Sequence, residues 1–143
     1  MTDIARRAAL ALLALSVLGV AVAIPLDLTA QFVARPETEL GWNALWDGSA
    51  VSAPPPPLVG LLLGIWLTTR SDRARLIGLW VLVLTGIVVT IGHVGEYSHG
   101  VPFAGTDRAV FLAFNVVGLA LCLLLVGSAL SAAVRRAAPV PAT

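Results

Sequence analysis

The chain has 143 residues, 58% of them apolar and only 12% charged, with a mean hydropathy of +0.93. Soluble domains carry about 25% charged residues, so an ordinary water-soluble domain is ruled out, and the length suits a single membrane domain. The net charge of +1 supplies no basic face for a nucleic acid, and a lone cysteine, Cys122, allows no internal disulfide.

All basic residues are Arg, and most of them alternate with the apolar runs. Arg6 and Arg7 precede the first run, Arg70, Arg73 and Arg75 separate the second from the third, and Arg135 and Arg136 follow the fourth. A crossing helix needs about 20 mostly apolar residues. The first is expected over residues 4–24, stopped by Pro25. Its basic start, apolar centre and Ala21-Val22-Ala23 also fit a signal peptide with a small-residue cleavage site. Cleavage would leave three spans with the same orientation.

Residues 26–53 form the longest polar stretch. Pro36, Glu37 and Glu39 suit the start of a short helix, and Asp47-Gly48 suits its end. At about 100° per residue Trp42, Leu45 and Trp46 share one face. Trp rings favour the headgroup level, so this helix is expected to lie flat on the outer leaflet, as a lid or a partner surface. The loop invites comparison with claudin-like proteins, but Leu45-Trp46 lacks the paired cysteines on which that resemblance rests.

The second span, 57–70, is short. Pro57 is expected as its first helical residue, where a missing N–H costs nothing, with Pro54, Pro55 and Pro56 extended before it. The helical residues from Pro57 to Thr69 cover only about 20 Å, so either the proline run dips into the interface or the helix continues through Arg70. Gly60 and Gly64 form a GxxxG that permits close backbone approach, within the chain or across a dimer.

The third span is expected over 76–97 and the fourth over 109–134, followed by a cytoplasmic tail at 137–143. Gly78, Gly86, Gly118 and Gly127 are expected to bring these two helices together. Cys122 reads as a small buried packing residue. Because cytoplasmic ends collect basic residues, the arginine pattern puts both termini inside. The outer segments then hold Arg35 and Arg108 against Asp27, Glu37, Glu39, Asp47, Glu96 and Asp107.

The one concentrated polar stretch runs from Gly92 to Gly100 and contains both histidines. His93, Glu96 and His99, with Asp107 nearby in sequence, offer imidazole and carboxylate ligands for Zn²⁺ or Cu²⁺. On a straight helix residues six apart lie about 9 Å apart along the axis, so the helix would have to fray for both histidines to meet one ion. Single-histidine ligation of haem by His93 is a second reading, and a pH-responsive outer site a third. The structural alternative is that His93 and Glu96 satisfy each other or hydrogen-bond Asn115 of the fourth span, as polar contacts between membrane helices commonly do.

No Gly-rich phosphate loop, Ser/His/Asp arrangement or His-Glu-x-x-His is present. No Lys exists for a Schiff base, and no acidic residue falls in the middle of a span. The sequence thus predicts an all-α integral membrane protein of the plasma (inner) membrane. It is expected to be a four-transmembrane-helix bundle, both termini cytoplasmic, with a short interfacial helix in the first outer loop. Its expected role is that of a non-enzymatic accessory or scaffold component in the lipid bilayer. Trp42, Trp46, Gly60, Gly64 and Asn115 are its candidate packing or partner residues, the partner being a larger membrane protein or complex. The alternative is an outer-face metal- or haem-binding protein built on His93, Glu96, His99 and Asp107.

Overall fold

A computed structural model describes residues 1–26, 28, 49–98 and 105–137. The described residues form four helices: α1 (Thr2–Leu26), α2 (Pro55–Thr68), α3 (Asp72–Ser98) and α4 (Gly105–Ala137). Three of them, α1, α3 and α4, are long and apolar enough to cross a membrane, whereas α2 has 14 residues. At about 1.5 Å per residue α2 is about 21 Å long, short of the hydrocarbon core of about 30 Å. The expected Trp42/Trp46 helix lies outside the described residues.

Each helix boundary has a local cause. In α1, Pro25 sits in the last turn, and the Leu28 N–H donates back to Ala23 O at 3.0 Å, which ends the helix one residue past the proline. α2 begins at Pro55, two residues before the expected start, and only Pro54 is extended (φ −66°, ψ 165°). The first N–H groups of any helix lack an internal acceptor, so three prolines fit its first turn without losing a bond. α2 does not continue through Arg70. Thr69 is its C-cap, Arg70 N–H donates to Leu67 O at 3.1 Å, and the Arg75 guanidinium donates to Thr68 O at 3.1 Å. α4 carries Asp107 in its first turn and Arg135 and Arg136 in its last, matching charge to the helix dipole at both ends.

α4 packs against both α1 and α3, α3 packs against α2, and a lesser α1–α2 contact closes the ring. One end of the bundle gathers the arginine-bearing helix ends. There Arg136 of α4 bonds Asp72 at the start of α3 at 3.1 Å, and Arg75 reaches the same carboxylate at 3.4 Å. The core beneath this end is rich in small residues: Ala5, Ala8 and Ala9 of α1 share a cluster with Ala129, Ala132 and Ala133 of α4. Small side chains let membrane helices approach closely, where packing rather than water drives association.

Glycines set the other close approaches. A Cβ on Gly64 would meet Leu82 at 2.6 Å, and one on Gly78 would meet Gly64 O at 2.9 Å, so α2 and α3 cross backbone to backbone. Gly60 faces Thr85 of α3. The expected third-to-fourth helix role holds for Gly86, which faces Val126, and for Gly118, which faces His93. Gly78 instead serves the α2–α3 contact, and Gly127 has nothing within 4 Å of a Cβ position. A glycine count along a span cannot say which neighbour each one meets.

Residues 49–52 pack against α1 and α4. Ala50 and Val51 join Ala23, Leu28 and Phe111 in a second buried cluster. Buried non-helical backbone needs partners for its polar groups. Here Ser49 and Ser52 exchange both backbone bonds at 3.2 Å, Ala50 N–H donates to Leu28 O at 3.1 Å, and Val51 N–H donates to Ser49 Oγ at 3.3 Å. The two serine hydroxyls bond each other at 2.8 Å. Val51 O lies against Gly19 of α1, where no side chain could fit.

Candidate functional site

The polar stretch at the end of α3 opposite the arginines meets the bundle through His93. Its Nδ1 lies 2.9 Å from Asn115 Oδ1 on α4. The Asn115 amide donates both of its hydrogens elsewhere, to Ala50 O at 3.2 Å and to Phe111 O at 3.0 Å. An amide whose nitrogen faces two carbonyls must present its oxygen to the imidazole. His93 Nδ1 is therefore the protonated nitrogen and donates to Asn115 Oδ1. In the neutral ring, Nε2 carries the lone pair.

The Nε2–Cε1 edge of the imidazole abuts Gly118, one turn deeper on α4 than Asn115. Any side chain there would displace the ring. The joint thus depends on three positions of α4 read at helical spacing: Phe111 supplies a carbonyl, Asn115 an amide and Gly118 an empty slot. Asn115 is buried at 5% exposure and ties α3, α4 and the 49–52 segment together.

The remaining expected site residues fall as follows. Glu96 is buried one turn beyond His93, and Asp107 lies in the first turn of α4. His99, like Trp42 and Trp46, lies outside the described residues. Among the described residues, no three His, Cys, Asp or Glu side chains gather closely enough to hold a metal ion. No buried side-chain nitrogen or oxygen among them lacks a hydrogen-bond partner. Gly60 and Gly64 face α3 within the chain, and Cys122 is buried in the core.

Sequence reasoning did not reach Gly19, Ser49, Ala50 or Phe111. Ser49-Ala50-Val51-Ser52 is uncharged between Asp47 and the prolines, which is the one local signal of burial it carries. No protein-family model, curated protein or solved structure matches the chain.

Proposed function

We propose that the chain is a multi-pass protein of the plasma (inner) membrane that works as a non-enzymatic accessory component. In this reading α2 is the fourth crossing, completed on the outer side by the 49–54 segment. The arginine end and both termini face the cytoplasm, as the basic excess there favours. The Trp42/Trp46 element lies on the outer leaflet. The observation that carries the reading is the use made of the buried His93–Asn115 constellation. His93, Asn115 and Ala50 O are consumed in joining three elements, and the imidazole edge is covered by the Gly118 backbone. The outward faces are by contrast apolar, with Val17, Leu84, Val116 and Leu123 more than 60% exposed. Such faces suit lipid and the transmembrane helices of a larger membrane protein or complex.

The test is gentle purification of the tagged full-length protein from its native membrane, with cross-linking, followed by identification of bound proteins and metal analysis. A stoichiometric membrane partner is expected, lost on substitution of outward α4 residues such as Val116→Trp. Stoichiometric Zn, Cu or haem absorbance that disappears in His93→Ala would replace this reading by the ligand-binding one.

A further inference from the structure

The α2–α3 hairpin has an outward face that ends in two arginines, Arg70 and Arg73, without a carboxylate partner among the described residues. Asp3 is taken by Arg6 at 3.8 Å, and Asp72 by Arg75 and Arg136. Among the described residues no acid lies within ion-pair distance of Arg70 or Arg73. Both are exposed. Arg70 is held in place all the same: its guanidinium sits 4.6 Å from the ring centre of Trp66. Stacking of this kind fixes the plane of the guanidinium and leaves its N–H edge free for bidentate contact with a phosphate.

Below the arginines the two helices present one continuous apolar face. Gly64 and Gly78 touch each other at the crossing. Leu63 and Trp66 stand one residue before and two after Gly64, and Ile77 and Trp80 stand at the same offsets from Gly78. At about 100° per residue these offsets turn each pair the same way from the contact. In an antiparallel pair that brings both to one side of the hairpin. All four are between 43% and 52% exposed. Further along this side an open groove of about 260 Å³ is lined by Pro56, Pro57, Leu84, Thr85 and Val88.

Lengths decide what fits. Leu84 is eleven residues beyond Arg73, a rise of about 16 Å. Half of the hydrocarbon core is about 15 Å. A phosphate held at Arg70 and Arg73 therefore places the end of its own leaflet's acyl chain at the groove. We propose that this face is a binding site for one anionic diacyl phospholipid of the inner leaflet. The headgroup phosphate lies on Arg70 and Arg73, and the chains run over Trp66, Ile77 and Trp80 into the groove. The assignment to the inner leaflet rests on the cytoplasmic placement of the arginine end proposed above.

Native mass spectrometry of the full-length protein in detergent, offered equal phosphatidylglycerol and phosphatidylcholine of matched chains, tests it. Each surface guanidinium is expected to favour the anionic lipid by about fivefold, so the wild type should retain it by about 20-fold or more. Arg70→Gln with Arg73→Gln should bring the ratio near parity, while Arg7→Gln with Arg135→Gln should leave it unchanged. Equal loss in both double variants would mean diffuse charge attraction and overturn the site, as would displacement of the lipid by millimolar inorganic phosphate. A Val88→Trp variant should retain less of either lipid, and full retention would remove the groove from the site. Labelling of a cysteine placed at Thr143 in sealed vesicles reads the topology separately. An outward label would refute the cytoplasmic placement without touching the lipid ratio measured in detergent.

Discussion

Asn115 joins three elements with one amide, and its geometry dictates an order of tolerance. Asn115→Ala leaves the His93 N–H and Ala50 O without this partner, at an expected loss of about 1–2 kcal/mol. Asn115→Asp keeps the shape but turns an oxygen toward Ala50 O and Phe111 O, so it should destabilise more than Ala does. Reversible unfolding in mixed micelles checks this, and an Asp variant as stable as wild type would contradict the bonding pattern. Gly118 and Gly127 make a matched pair on the same helix. Gly118→Ala pushes a methyl into the His93 ring and should cost about 1–3 kcal/mol by overpacking. Gly127→Ala meets no neighbour within 4 Å, so the better helix propensity of Ala should make it neutral or stabilising by up to about 1 kcal/mol. Equal effects in the two variants would count against this α3–α4 register.

The most informative helix is the short one. α2 touches α3 along Gly60 and Gly64, and its C-terminal end is tied down by Arg75 on Thr68 O. Gly64→Leu should therefore separate α2 from α3 and destabilise the monomer by about 1–3 kcal/mol or more. If the same glycines served a dimer instead, the variant would lower the oligomeric mass and leave monomer stability intact, so unfolding and mass in micelles together separate the two. The start of α2 was legible in the prolines only to within two residues, since a proline is equally at home just before a helix and in its first turn. The 49–52 segment was less legible still. Its serines and small residues carry no period, and its burial depends on Gly19 and Asn115, more than 25 residues away on either side.

For the molecule entire, α1 is part of the bundle core. Ala5, Ala8, Ala9 and Leu12 are buried with α4 residues, and Ala23 is buried with Phe111. The mature protein is accordingly expected to retain residues 1–23, and its intact mass checks this; a mass starting after Ala23 would favour the signal-peptide alternative. Helical content, the three long apolar helices and the gathering of arginines at one end of the bundle were all readable along the chain. They depend on local composition, because a backbone in hydrocarbon must satisfy its own hydrogen bonds and a guanidinium must stay near water. The pairing of His93 with Asn115 stood among several readings of the polar stretch. It was singled out by the α3–α4 register, which sets the Gly118 slot beside the imidazole and turns the Asn115 amide toward Ala50. Such contacts between residues distant in sequence follow from how helices rotate and slide against one another, and no single helix carries that information.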